Sequence, residues 1–228
     1  MRTEGEGVLQ GCRWRSLGAA PALAVLVADE VAPVFTVAVD DFTIQTTVTS
    51  NGDEVEMWIE EILRIHSRRL HQLVVGLDVE RRPSYSRIQH PVAVLQICVG
   101  MRCLVFQVIH TDYFPHNLNV FLGDHRFTFV GVGIQNHAGL LDHNWGLHVA
   151  NTSDLRTLAA NGMQRNDLRN AGLKQLADEL LGLVVEKSSR VTMSNWAKNT
   201  LSHAQIAYAC ADAFLSFEIG KRLLNPRF

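Results

Sequence analysis

The sequence predicts an α/β fold in which a mixed sheet is covered by helices. Three observations carry this expectation. β-rich segments crowd the first half of the chain and helical patterns the second, an order that gathers the strands into one sheet with helices packed on it. Leu73 to Val79 is an almost unbroken run of Leu and Val, the pattern of a strand buried on both faces. The 228 residues, 47% hydrophobic and 19% charged, suit a single globular domain with a sizeable core. That domain is expected over 34–228, behind an N-terminal extension at 1–33.

In the extension, Pro21, Asp29, Glu30 and Pro33 interrupt an apolar stretch, and Ser16 to Ala28 is its longest uncharged run. At 13 residues that run is too short to cross a bilayer. Arg2, Arg13 and Arg15 are faintly similar to a targeting segment, against which Glu4 and Glu6 argue. Val34–Val39 and Phe42–Val48 are β-rich and separated by Asp40-Asp41, which predicts a hairpin. Ser50 to Asp53 offers a turn and a helix cap. Val55, Ile59, Ile62, Leu63 and His66 then recur at helical spacing up to Leu70. Arg64, Arg68 and Arg69 read as its solvated face.

After Leu73–Glu80, Val92–Val99 and Leu104–Ile109 complete a meander around Gly100 to Cys103. A short helix covers Leu118–Leu122, and Phe127–Ile134 is a further apolar strand, after which a helix begins. Asn151 to Asp154 reads as the cap of a helical run to Ala160. Leu173–Leu181 is an amphipathic helix, capped near Asn170 and stopped by Gly182, and a long helix runs from about Ser202 to Leu224.

Composition excludes some functions. A net charge of −2 gives no general attraction to nucleic acid, so a polyanion site needs a local patch or metal ions. Cys12, Cys98, Cys103 and Cys210 form no Cys-x-x-Cys pair, which excludes a zinc knuckle or thioredoxin motif and fits a reduced intracellular setting, nucleus or cytoplasm, away from membranes. His137, His143 and His148 lack the spacing of a structural zinc site.

The chemistry begins where the Leu73 strand ends. Asp78 and Glu80 point to the same side because strand side chains alternate. Two such carboxylates repel and are costly to desolvate, and a divalent cation with hard oxygen ligands relieves both problems. The plain alternative is a solvated strand end. On the last helix, Tyr208 and Asp212 are spaced i, i+4 and share a face. The surrounding Ala207 to Ala213 run is small enough to press the helix against a sheet, where Asp212 would need a partner. A surface position is the alternative there.

Leu77-Asp78-Val79-Glu80, Val130-Gly131-Val132-Gly133-Ile134, Ser194-Asn195-Trp196 and Gln205 to Ala213 occur in that order. This pattern resembles the 3′–5′ exonucleases of the DEDD superfamily, in the subgroup with a tyrosine in the last motif. It is most similar to the exonuclease domain of the Werner-syndrome helicase family and its small stand-alone plant relatives. The resemblance spans about Val34 to Leu224. It implies a ribonuclease H-like fold with a central mixed five-stranded sheet flanked by helices. It implies that Asp78, Glu80 and Asp212 hold Mg2+ or Mn2+ in a two-metal site and that Tyr208 orients the attacking water. Nucleoside 5′-monophosphates would leave the 3′ end of single-stranded or 3′-recessed DNA or RNA.

One position departs from the family pattern. His137 stands where the second motif has its Asp, and Leu140 where a Lys is usual. Asp142 lies about 140° further around a helix and does not replace the missing carboxylate. A neutral imidazole is a poorer magnesium ligand and suits manganese better, so binding of the second metal should be weakened. Three readings follow: an active exonuclease, an impaired one that still binds nucleic acid ends or a protein, and an interaction protein that oligomerises through its sheet edge or hairpin. Arg81, Arg82 and Arg87 are candidates for phosphate contacts or a solvated loop, and Trp196 for base stacking or core packing.

Overall fold

The computed structural model describes residues 14–15, 25–28, 34–84, 86, 89–185 and 188–225. In chain order its elements are β1 (Trp14–Arg15), β2 (Val25–Ala28), β3 (Val34–Val39), β4 (Phe42–Thr49), α1 (Gly52–Ile65), β5 (Val74–Arg81), β6 (Val92–Val99) and β7 (Arg102–Phe106). There follow α2 (His116–Leu122), β8 (Thr128–Gly131), α3 (Ile134–Trp145), β9 (Thr152–Asp154), α4 (Leu155–Gly162), α5 (Leu173–Leu181), β10 (Val184–Val185), α6 (Ser189–Thr192) and α7 (His203–Leu224). Most of the expected extension lies outside the described residues. The backbones of β1 and β2 pair with β10 and β3.

The main sheet runs β2-β3-β4-β7-β6-β5-β8-β9. Its β7-β6-β5-β8-β9 portion is the expected mixed five-stranded sheet: β6 is antiparallel to β5 and β7, whereas β8 is parallel to β5 and β9. The expected hairpin is β3–β4. It does not stand apart, because β4 adds in parallel to β7 and β2 covers the far side of β3.

Alternation along β5 and β6 divides the core. Leu77, Val79, Leu95 and Ile97 belong to the cluster with α1, α2 and α3, while Val94 and Cys98 belong to the one with α7. Gly76, Asp78 and Glu80 therefore face the α7 side. α7 starts at a capping box, in which the Ser202 hydroxyl accepts from the Gln205 N–H and the Gln205 side chain accepts from the Ser202 N–H. It is buried from Gln205 to Gly220. Such depth needs missing side chains opposite: a Cβ on Gly76 would collide with the Ala213 carbonyl and lie 2.6 Å from the Phe217 nitrogen, and one on Gly220 would meet Val130.

Several boundaries differ from expectation. α1 ends at Ile65, capped by the His66 N–H bonding to the Ile62 carbonyl, because the polar 66–69 stretch carries no further apolar stripe. β7 begins at Arg102 and stops at Phe106; Gly100, at φ 60°, makes the turn tight, and Val108–His110 closes into a 3-10 turn. The Phe127 strand is reduced to Thr128–Gly131 because Gly133, at φ 72°, turns the chain into α3. Thr152–Asp154, expected as a cap alone, is also an edge strand. α5 starts at Leu173 behind Gly172, without a side-chain cap, since Asn166–Asn170 forms its own 3-10 turn.

Candidate active site

The site forms where β5, α3, α6 and α7 meet. β5 ends in Asp78 and Glu80, both half-buried. Asp78 Oδ1 accepts the Val79 N–H at 2.8 Å, which fixes one oxygen of the carboxylate against the strand. His137 sits in the first turn of α3, and its Nδ1 is 3.2 Å from the same Asp78 oxygen. The imidazole of His137 thus faces the Asp78 carboxylate.

The entry to α3 is held rigidly. The Gly133 N–H donates to Asp154 Oδ2 at 2.9 Å, and the Gly133 carbonyl accepts the Asn136 and His137 N–H groups. Asp154 also receives Arg156 Nε at 3.0 Å, Arg156 Nη2 at 2.7 Å and the Arg156 N–H at 2.9 Å. Burial would raise the Asp154 pKa, but the Arg156 guanidinium and the two N–H donors outweigh it and hold the carboxyl below the usual range. β9 and α4 therefore orient the helix that carries His137.

α7 supplies Tyr208 and Asp212, both buried and one helical turn apart. Asp212, 3% exposed, is followed by Ala213, the residue pressed on Gly76. The Thr192 hydroxyl donates to the Tyr208 oxygen at 3.1 Å, directing the phenolic proton away from α6. Glu80, Arg81, His137, Leu140, Thr192 and Met193 line a predominantly polar cleft of about 320 Å³. Its walls join the end of β5, the start of α3 and the end of α6, so Arg81 lies on its rim.

Two expectations need comment. Trp196 is 0% exposed; its indole packs on Tyr208 with centroids 5.8 Å apart and donates to the Thr192 carbonyl at 3.2 Å. A base has no face of this ring to stack on, so Trp196 is a core residue that backs Tyr208 and α6. Asp142, His143 and His148 are exposed. Among the described residues, no three His, Cys, Asp or Glu side chains already stand close enough to hold a cation. Thr192, Met193, Asn136 and Asp154 escaped sequence reasoning, because each belongs to the site only through the packing of distant segments.

The sequence that carries these elements matches a known family. A family model described as 3'-5' exonuclease matches residues 46–226. The chain belongs to the 3'-5' exonuclease family. A 3'-5' exonuclease of Arabidopsis thaliana is 33% identical over 152 residues, covering 65% of this chain and 52% of that protein. The bifunctional 3'-5' exonuclease/ATP-dependent helicase WRN of Mus musculus is 28% identical over 154 residues, covering 67% of this chain and 11% of that protein. The chain spans about half of the first relative's length and far less of the second's. Among solved structures, the exoribonuclease RNase D of Escherichia coli superposes with a TM-score of 0.65 at 17% identity, covering 78% of this chain and 44% of that one. This likeness shows the ribonuclease H-like fold.

Proposed function

We propose that the chain is a metal-dependent 3′–5′ exonuclease that hydrolyses phosphodiester bonds from the 3′ end of DNA or RNA and releases nucleoside 5′-monophosphates. The observation that carries this reading is the meeting of Asp78 and His137 at 3.2 Å on β5 and α3, beside the cleft that Glu80 lines. Membership of the 3'-5' exonuclease family supports it.

The donor set fits hard divalent cations. Asp78, Glu80 and Asp212 would be the oxygen ligands, with Mg2+ or Mn2+ the ions of matching chemistry. Bound ions supply stabilisation of the attacking and leaving oxygens of an in-line displacement. The chain's own groups do the rest. Asp78, Glu80 and Asp212 would carry negative charge toward the α7 side of β5, which a divalent cation would offset for a polyanionic substrate. Tyr208, held by Thr192, orients the attacking water. Arg81 at the rim meets a substrate phosphate. His137 contributes one neutral nitrogen in place of an anionic oxygen, which weakens a second magnesium and favours manganese.

A second reading rests on the same residue. With His137 in place of a carboxylate, the chain binds a nucleic acid end or a protein partner and cuts it poorly. A single-stranded oligonucleotide labelled at its 5′ end separates the two. Stepwise shortening from the 3′ end in Mn2+, with nucleoside 5′-monophosphates as products, is the expected result. Retention of the oligonucleotide with no shortening in Mn2+ or Mg2+ would leave the second reading.

A further inference from the structure

β6 reads Val-Ala-Val-Leu-Gln-Ile-Cys-Val, and every residue of it is buried. Gln96 is its one strongly polar side chain. It is 0% exposed, and among the described residues neither its amide nitrogen nor its amide oxygen has a hydrogen-bond partner. Buried amides in that condition cost about 1–3 kcal/mol each way they fail to bond, and native cores contain few of them. An apolar residue of similar volume would serve the sheet better at this point.

Position explains the residue where stability does not. Gln96 is the direct cross-strand partner of Asp78 in the β5–β6 register. Paired residues of antiparallel strands project to the same face with Cβ atoms about 4.5–5.5 Å apart. That face is the one α7 covers, where Val94 and Cys98, two residues to either side of Gln96, pack with Ala209 and Ala213. On its other flank Gln96 pairs with Val105 of β7, which offers nothing polar. Asp78 is thus the charged group in cross-strand register with the amide, and a carboxamide N–H is a donor suited to a carboxylate.

We propose that Gln96 is a positioning residue for the metal-binding carboxylate. Its amide N–H reaches Asp78 through one ordered water and holds the carboxylate in the orientation that captures a cation. The stability cost of the buried amide is retained for that purpose. The proposal rests on the reading of Asp78 as a cation ligand. Partners that orient ligands in this way are typically worth about 10–100-fold in metal affinity.

The test is Gln96→Met, which removes both amide groups at nearly constant volume. Calorimetric titration with Mn2+ alone, on the full chain without nucleic acid, is paired with a thermal melt. The expected result is a Mn2+ dissociation constant raised about tenfold with a melting temperature unchanged or higher. Unchanged Mn2+ affinity, a lower melting temperature or a variant that does not fold would overturn the proposal, the last two because they assign the amide a purely structural bond. If the parent chain binds no Mn2+, the metal-site reading itself fails. If parent and variant bind it equally, that reading stands and the role of Gln96 alone is lost.

Discussion

At the residue scale, the site is a set of polar groups whose neighbours decide their use. Tyr208 keeps its hydroxyl next to Thr192 and its ring against the Trp196 indole. Tyr208→Phe is expected to slow hydrolysis by about 10–100-fold, the usual worth of a group that positions a reacting partner. Stability should fall by less than about 1 kcal/mol, because Thr192 has the Ser188 carbonyl as a fallback acceptor at 3.4 Å. Single-turnover rates and a urea melt of the same variant check both halves. Asp78, Glu80, His137, Tyr208 and Asp212 are nominated by the sequence because ordered motifs name both residue type and place, and the structure brings Asp78 and His137 to 3.2 Å. Trp196 is less legible. An indole before the last helix reads equally as a stacking platform or as core, and only the packing of α6 on α7 removes its exposed face. Gln96 is not legible in the sequence, since one polar residue in an apolar strand carries no periodic signal.

At the scale of elements, two close approaches build the site. Gly76 lets the Ala213 backbone settle on β5, which brings the helix of Asp212 down onto the strand of Asp78. The small-residue run Ala207 to Ala213 announced that contact, but its counterpart at Gly76 appears only in the tertiary structure. The second approach is the Asp154 clamp on Gly133. Its pKa is held below the ordinary carboxylate value, so its contribution is fully present above about pH 4 and is lost as pH falls through the folded-state value. Asp154→Asn should therefore destabilise the chain by about 1–3 kcal/mol near neutral pH. Urea melts of parent and variant should converge as the pH is lowered toward 3. A difference independent of pH would remove the Arg156–Asp154 ion pair from the account. This clamp was hidden because Asn151 to Asp154 reads as a polar cap, while its pairing with β8 depends on backbone groups that no side chain advertises.

At the scale of the whole molecule, a weakly acidic chain places its chemistry at the end of one sheet. With a net charge of −2, the proposed cations would be the means of drawing a polyanion to the carboxylates. The five-stranded core was readable from the clustering of strands and from the motif order. Its extension to eight strands was not, because the parallel union of β4 with β7 joins segments separated by α1, β5 and β6. On the proposed function, His137 stands in a metal-ligand position and sets which ion the chain uses. The direct measurement is the initial rate of 3′-end shortening by the parent chain and by His137→Asp, each in Mg2+ and in Mn2+. The account predicts a parent that works better in Mn2+ and a variant whose Mg2+ rate rises by at least about tenfold, equal to roughly 1.4 kcal/mol at the transition state. Equal Mg2+ rates in parent and variant, with both folded and the parent active in Mn2+, would contradict it.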